Sequence, residues 1–197
     1  MGCSLFACQV FAAGNQQAGR EAGAPYENFY RGVDQRQLQH LLNIAAVKND
    51  VLTIMELCEA GADPNAPGYE GYTPMQLSLQ AGTTEALQAL LEHGGKPDGA
   101  IMMAAAKTGQ LKAMKLLERY GGNIAQTGDE GCSTLHYMAE AGTLEMVQYL
   151  VERGVPINAT CRGEETPLDW AKNGKNGRVI RYLERMGARS SREKRVP

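Results

Sequence analysis

Residues 129–159 read DEGCSTLHYMAEAGTLEMVQYLVERGVPINA, and this stretch decides the fold. It contains two short apolar segments, one ending before Gly142 and the other before Gly154. In the second segment Val147 and Val151 lie four residues apart, which places them on the same face of a helix. A helix of about ten residues with a single apolar stripe is not stable alone. The stretch therefore predicts a helix pair that needs neighbours of the same kind.

The rest of the chain contains those neighbours, because the pattern repeats. The glycine after the second helix returns at intervals of 33, 27, 33 and 33 residues, as Gly61, Gly94, Gly121, Gly154 and Gly187. A leucine stands four positions before each glycine: Leu57, Leu90, Leu117, Leu150 and Leu183. Another apolar residue stands seven positions before each glycine: Ile54, Leu87, Met114, Val147 and Ile180. A shared period with a shared apolar pattern predicts stacked repeats around one core.

Several segments of the chain resemble the motifs of the ankyrin family. Its signature, Thr-Pro-Leu-His-x-Ala-Ala-x-x-Gly, is matched by GYTPMQLSLQAG (71–82), GCSTLHYMAEAG (131–142) and EETPLDWAKNGK (164–175). GADPNA (61–66) and GVPINA (154–159) resemble the Gly-Ala-Asp-Val-Asn-Ala segment that ends a repeat. The resemblance covers about residues 34–188 and is specific, since motif and period agree. It implies an all-α ankyrin-repeat solenoid of helix-turn-helix units with short β-hairpin fingers between them.

The helix starts within this pattern have a physical basis. Thr73 and Thr166 carry hydroxyl groups that can accept a hydrogen bond from the first turn, so we predict them as N-caps. Pro74 and Pro167 follow them and suit the first helical position, where no amide hydrogen is needed. Asp34 is the predicted cap of the first repeat.

The repeats define the predicted domain boundaries. We place repeats at about 34–66, 67–97, 98–125, 126–159 and 160–188, between an N-terminal tail (1–33) and a basic, disordered tail (189–197). Only four residues, 95–98, separate Gly94 from the next helix, which Asp98 is predicted to cap. The finger before repeat three is therefore predicted to be clipped. Tyr26, Phe29 and Tyr30 are predicted to cover the exposed end of repeat one.

Composition limits the remaining possibilities. The net charge of −2 is unevenly distributed, with an excess of basic residues after Ala171 and of acidic residues before it. No run of apolar residues is long enough for a transmembrane helix. The number of cysteines is odd and they are widely spread, which predicts reduced thiols and a cytoplasmic location rather than a disulfide framework. They are Cys3, Cys8, Cys58, Cys132 and Cys161.

No pattern in the sequence indicates catalysis. His136 occupies the histidine of the ankyrin motif, and the resemblance implies that its ring bonds loop backbone and steadies the finger. His40 and His93 lie on other repeats without ligands at metal spacing, and no Cys-x-x-Cys pair occurs. We therefore predict no enzyme activity, catalytic residue, cofactor or metal. Nucleic acid is not an expected partner, because most of the chain is acidic and lacks a reading motif.

The family resemblance implies that a protein or peptide partner is held on the concave face, by finger tips and exposed residues of the first helices. Carried over position by position, this predicts a site made of Tyr69, Glu70, Tyr72, Gln80, Lys107, Asp129, Glu130, Tyr137, Glu140, Arg162, Glu165 and Trp170. The acidic fingers match a basic partner, and the alternative interpretation is a purely solvated surface. Tyr137 and Trp170 are large for their position, and they are either interface anchors or fillers between neighbouring helices.

The predicted function is a non-enzymatic protein–protein interaction module that is monomeric on its own. One alternative is a membrane-tethered adaptor lipidated at Gly2 or Cys3, although Phe6 stands where the acylation motif requires Ser or Thr. The second membrane signal of such an adaptor would be the basic C-terminus. If the last helix continued to Arg192, it would carry a stripe of arginines on one face. The opposing interpretation is that the basic residues form a solvated end cap. Another alternative is a regulatory subunit of an enzyme encoded elsewhere.

Overall fold

The computed structural model describes Tyr30 and residues 32–68 and 71–191, apart from the side chain of Asp129. Several sequence predictions fall on residues outside this set. They are those for Gly2, Cys3, Cys8, Tyr26, Phe29, Tyr69, Glu70, the Asp129 side chain and Arg192. Lipidation at the N-terminus therefore stays a prediction.

The described residues form five helix pairs, one for each predicted repeat. In each pair we call the first helix the inner helix and the second the outer helix. The inner helices are α1 (Gln35–Lys48), α3 (Pro74–Ala81), α5 (Gly99–Thr108), α7 (Thr134–Ala141) and α9 (Pro167–Asn173). The outer helices are α2 (Val51–Glu59), α4 (Thr84–Glu92), α6 (Leu111–Arg119), α8 (Leu144–Glu152) and α10 (Gly177–Arg185). The predicted all-α repeat solenoid is confirmed.

The predicted helix caps are present. The carboxylates of Asp34 and Asp98 each accept the amide hydrogen of the residue three positions on, at 2.9 Å. Thr73 does the same at 3.2 Å, and Pro74 follows it at the start of α3. At the far end of α7, Gly142 takes φ = 78°, a left-handed conformation that costs glycine little. Short helices can therefore begin and end sharply, which allows two of them to fit in each repeat.

The leucine ladder forms the centre of the core. Leu57, Leu90, Leu117, Leu150 and Leu183 are all fully buried and belong to one apolar cluster. Each inner helix packs against the inner helix of the next repeat. Ile180 in the last repeat is only partly buried, unlike its fully buried counterpart Val147. Burying one leucine contributes roughly 2–3 kcal/mol, so the shared core is what holds these short helices together.

The fingers between repeats are short. In the described residues they form isolated antiparallel bridges, Thr127 with Ser133 in repeat four and Cys161 with Glu165 in repeat five. We call these segments finger four (127–133) and finger five (161–165). Between repeats two and three only residues 93–98 separate α4 from α5, in agreement with the predicted clipped finger.

Both ends of the stack are covered by packed residues. Tyr30 is buried in the core cluster, in agreement with its predicted role as an end cover. At the other end the hydroxyl of Ser190 donates to Asp169, and the amide of Ser191 donates to the same carboxylate at 3.0 Å. Ser190 is buried. The prediction of a disordered tail from residue 189 is therefore wrong for residues 189–191, because a buried carboxylate holds them against repeat five.

Candidate partner-binding surface

The inner helices expose one equivalent position in every repeat. We call this row the inner-helix face, and its members are Val47, Gln80, Lys107, Glu140 and Asn173. All five are exposed, and they stand at the spacing of the repeats. Three of them, Gln80, Lys107 and Glu140, belong to the predicted site. The stacking of the inner helices thus brings residues that are far apart in sequence onto one continuous surface.

A second row lies three positions earlier and forms the floor of this surface. It consists of Ile44, Leu77, Ala104, Tyr137 and Trp170. Ile44 is exposed, Leu77, Ala104 and Tyr137 are half-buried, and Trp170 is buried. The floor is therefore aliphatic in repeats one and two and aromatic in repeats four and five. The sequence analysis missed Ile44 and Val47, because repeat one lacks the ankyrin signature from which the other positions were carried over.

Cys132 in finger four and Cys161 in finger five form a disulfide, with their Cα atoms 4.8 Å apart. The prediction of reduced cysteines is wrong for this pair. The repeat period contained the missing signal, since Cys132 and Glu165 are separated by one period and Cys161 is bridged to Glu165 across finger five. Cys58 is a free, half-buried thiol, and burial, followed by the charges of Asp63 and Glu59, raises its pKa to about 11.

Trp170 is packed under finger five rather than presented to solvent. Only 4% of the residue is exposed, and its indole nitrogen donates to the Glu165 carboxylate at 2.9 Å. The rings of Tyr137 and His136 meet it edge-on, with centroids 5.3 and 5.6 Å away. We call Trp170, Tyr137 and His136 the aromatic cluster. The burial of Trp170 favours the interpretation of this residue as a filler, whereas half-buried Tyr137 still reaches the surface.

Charged side chains cover the aromatic cluster. The Arg162 guanidinium lies 5.1 Å from the centre of the Trp170 ring and pairs with Glu130 at 2.5 Å. The hydrogen bond and charge of Glu130 raise the pKa of Arg162. The ammonium group of Lys107 lies 5.2 Å from the centre of the Tyr137 ring. Cations are attracted to the faces of aromatic rings. These contacts therefore hold the Arg162 and Lys107 side chains in place over the aromatic cluster, while Tyr137 remains half-buried.

His136 has the structural role that the family resemblance implied. Its Nδ1 atom accepts the backbone amide hydrogen of Ser133 at 3.1 Å, and Nε2 lies 3.2 Å from the carbonyl oxygen of Glu165. The residue is fully buried, and burial lowers the pKa of the ring. A neutral ring that accepts at Nδ1 and donates at Nε2 satisfies both contacts. His136 therefore ties helix α7 to finger five.

The remaining predicted site residues lie in different surroundings. Tyr72 is exposed two residues before helix α3 of repeat two, two repeats away from the aromatic cluster. Glu165 is half-buried and already accepts from Trp170, and Glu130 is paired with Arg162. The acidic edge predicted for the fingers is thus partly neutralised in repeats four and five.

Residues 30, 32–68 and 71–191 contain neither a metal-type cluster nor a membrane-spanning helix. No three His, Cys, Asp or Glu side chains in this set are grouped as they would be around a metal ion. No helix in the same set combines the length and apolar character required to cross a membrane.

Family comparison assigns the repeats. A model of ankyrin repeats in three copies matches residues 101–192, and a model of ankyrin repeats in many copies matches residues 42–91. The chain belongs to the ankyrin-repeat family. Repeats of this family generally serve as protein–protein interaction modules.

Individual relatives have varied functions. Potassium channel AKT1 of Arabidopsis thaliana is 34% identical over 168 residues, covering 66% of this chain and 20% of the channel. Cyclin-dependent kinase 4 inhibitor B of Mus musculus is 32% identical over 116 residues, covering 55% of this chain and 88% of the inhibitor. The B-cell lymphoma 3 protein homolog of Mus musculus is 28% identical over 136 residues, covering 66% of this chain and 30% of the homolog. The chain thus spans a fifth of the potassium channel.

Proposed function

We propose that this ankyrin-repeat chain is a non-enzymatic module that binds a protein or peptide partner on its inner-helix face. The observation that carries the proposal is the row of five exposed residues at one register of five stacked inner helices. A partner laid along this row can contact several repeats at once. A cytoplasmic location, a monomeric state and the absence of catalysis stay predictions.

The binding surface is largely ordered before a partner arrives. Tyr137 is held between Trp170 and Lys107, and the disulfide ties the two fingers beside it. Side chains that are already fixed lose little conformational freedom on binding, so more of the contact energy appears as affinity. Tyr137 is the aromatic anchor that we expect to matter most, since half-buried tyrosines are favoured at interface centres.

The chemistry of the face changes along the stack. In repeats one and two Ile44, Val47 and Tyr72 are exposed apolar or aromatic groups. In repeats three and four Lys107 and Glu140 are exposed charges. This favours a partner segment with apolar side chains at one end and charged side chains of both signs at the other. A basic group on the partner would meet Glu140, which keeps part of the predicted preference for basic partners.

A pair of matched triple variants tests the proposal. Gln80→Ala/Lys107→Ala/Glu140→Ala removes one glutamine, one lysine and one glutamate from the inner-helix face. Gln88→Ala/Lys115→Ala/Glu145→Ala removes the same three residue types from exposed positions on outer helices. Tagged wild-type and variant proteins would be used to capture partners from extracts of the source cells, with quantification by mass spectrometry.

We expect the outer-helix variant to retain the proteins that wild type captures. The inner-helix variant should lose them by about tenfold or more, which corresponds to roughly 1.4 kcal/mol of binding energy. Equal recovery by wild type and the inner-helix variant would contradict the proposed face. Circular dichroism of both variants checks that the exposed substitutions leave the helices intact.

A further inference from the structure

In repeats two to five, the solvent-facing positions of the outer helices alternate in charge from one repeat to the next. Repeats two and four carry acids and glutamine: Glu85, Gln88 and Glu92 in one, Glu145, Gln148 and Glu152 in the other. Repeats three and five carry bases at the same register: Lys112, Lys115 and Arg119 in one, Arg178, Arg181 and Arg185 in the other. All of these residues are exposed except Gln148, which is half-buried. We call each set of three a rung.

The basic rung of repeat three lies between two acidic rungs, and its Lys112 is close enough to Glu85 of repeat two for their charges to interact. The pKa of Glu85 is lowered by its own backbone amide and by the Asn49 side chain, and also by the nearby charge of Lys112. On the other side Lys115 lies over the Tyr149 ring of repeat four, 5.2 Å from its centre. Because neighbouring rungs have opposite charge, the outer helices repel one another less than they would if all rungs had the same charge.

Among the described residues, the acidic rung beside the basic rung of repeat five is that of repeat four. Within the part of the chain that the structure describes, Arg178, Arg181 and Arg185 form no ion pair, as is also true of the basic rung of repeat three. Helix α10 ends at Arg185, and the backbone amide of Arg189 donates to the Asn158 side chain at 2.8 Å. The chain therefore leaves the rung and turns toward finger five. The predicted arginine stripe therefore does not continue to Arg189, and its last member, Arg192, lies outside the described residues.

These three arginines line an open groove of about 500 Å³. Its other lining residues are Leu144 and Tyr182, which give it apolar walls, and Glu184, which places one carboxylate at the groove. Arg185 is positioned over the Tyr182 ring, 5.8 Å from its centre. A groove that combines apolar walls with three guanidinium groups offers both contact area and a strong preference for anions.

We propose that this groove is a second docking surface, on the outer helices, for an acidic segment of a protein partner. Each guanidinium can hold a carboxylate through two parallel hydrogen bonds. The arginines are three and four residues apart on a helix, so they are spread over about 10 Å along its axis. Acidic residues at every second position of an extended segment recur about every 7 Å, and two or three of them match this span.

The surroundings favour a narrow protein segment over a broad anionic surface. Glu145 and Glu152 of the neighbouring rung are exposed beside the groove, and Glu184 lies in it. A flat anionic membrane that reached the arginines would also approach these carboxylates and be repelled. A single acidic segment can enter the groove and avoid them.

Fluorescence anisotropy with a synthetic peptide tests the proposal. The probe is a labelled peptide of about nine residues with glutamate at alternate positions, and the reference probe carries glutamine at those positions. The test variant is Arg178→Ala/Arg181→Ala/Arg185→Ala. The matched control is Lys112→Ala/Lys115→Ala/Arg119→Ala, which removes the same three positive charges from the same register two repeats away. Full-length protein is used throughout, at an ionic strength near about 0.15 M.

We expect saturable binding of the glutamate peptide, weakened about tenfold or more in the repeat-five variant and less than about threefold in the repeat-three variant. Equal weakening in both variants would overturn the proposal, since it would show a response to net charge alone. Failure of wild type to prefer the glutamate peptide over the glutamine peptide would also overturn it. So would arginine-dependent binding to phosphatidylserine vesicles without binding to the peptide.

A lysine variant keeps the test decisive if the alanine variant loses helicity. Arg178→Lys/Arg181→Lys/Arg185→Lys preserves charge but not the paired hydrogen bonds. We expect it to weaken peptide binding by about threefold or more, and unchanged binding would contradict a carboxylate-specific groove.

Discussion

Cys132 and Cys161 lie in neighbouring fingers and are joined by a disulfide that crosses from repeat four to repeat five. Both are buried, and together with Trp170 they form a small apolar cluster separate from the main core. The link fixes the position of finger five relative to helix α7, which carries Tyr137. The most ordered part of the proposed binding face is thus tied covalently across a repeat boundary.

The disulfide should contribute measurably to stability. Linking residues 29 apart in sequence restricts the unfolded chain by about 3–4 kcal/mol in the chain-entropy description. We therefore expect urea unfolding of the oxidised protein to shift to lower urea when a reductant is added. In Cys132→Ala/Cys161→Ala this shift should vanish, whereas Cys58→Ala should retain it. A reductant shift that survives in the double variant would contradict the assignment.

The leucine ladder predicts that two leucine substitutions lower the free energy of unfolding by very different amounts. Leu117 is fully buried in the middle repeat, so Leu117→Ala should lower the free energy of unfolding by about 2–5 kcal/mol. Leu52 is 51% exposed on α2, so Leu52→Ala should cost less than about 1 kcal/mol. Chemical denaturation of the two variants measures both values. Equal losses would be incompatible with a core that runs through the middle of the stack.

Buried His136 should make stability depend on pH in the mildly acidic range. Burial lowers the pKa of this ring in the folded protein, so the unfolded chain binds its proton first as the pH falls. The stabilisation from the neutral, buried ring is complete above about pH 7. It is lost as the pH decreases through about 6.5, the histidine pKa in the unfolded chain, and below. We expect His136→Gln to be less stable at neutral pH and to lack this part of the pH dependence. Urea unfolding midpoints measured between about pH 7 and 5 would show this difference. If the midpoint depended on pH equally in wild type and His136→Gln, the prediction would be contradicted.

Asp169 should act at lower pH. Burial alone would raise its pKa, but hydrogen bonds from Ser190, Thr166 and Ser191 outweigh burial and hold the pKa well below its usual range. Its stabilising effect is present above the unfolded pKa of about 4 and is lost as the pH falls further. Asp169→Asn should therefore be less stable than wild type at neutral pH. The gap, meaning the difference in unfolding free energy between the two proteins, should narrow below about pH 4. A gap that is constant with pH would argue against an ionised, hydrogen-bonded Asp169.

The closure of the stack by Ser190 can be tested separately. Its hydroxyl donates to the Asp169 carboxylate in a buried setting, so Ser190→Ala should cost about 1–3 kcal/mol. In an Asp169→Asn background the same substitution should cost less, since the charged acceptor is already gone. A double-mutant cycle from urea unfolding measures this difference. Additive losses would show that the two side chains do not interact.

Features that depend on local sequence or on the repeat period were predictable. Asp34 and Thr73 cap helices as expected, because a cap needs only the amide three residues on. The buried leucines follow from the same reasoning, since helical spacing and a common period fix which side faces the neighbouring repeat. The exposure of Gln80 and Lys107 followed from the family resemblance, carried over position by position.

Features that depend on contacts between repeats were not predictable in the same way. The Cys132–Cys161 pair required knowledge of how finger five folds back beside finger four. The burial of Trp170 arises because finger five and Arg162 cover it, which no spacing rule indicates. The packing of Ser190 depends on Asp169 standing where repeat four has His136, a local departure from the motif.

The most direct test of the proposed function uses two glutamines of repeat two that differ only in the face they occupy. Gln80 lies on inner helix α3 and Gln88 on outer helix α4, and both are exposed. A photo-cross-linking amino acid placed at one position or the other would be irradiated in extracts of the source cells. We expect protein adducts from position 80 and none above background from position 88. Equal adducts from both positions, or adducts from position 88 alone, would contradict partner binding on the inner-helix face.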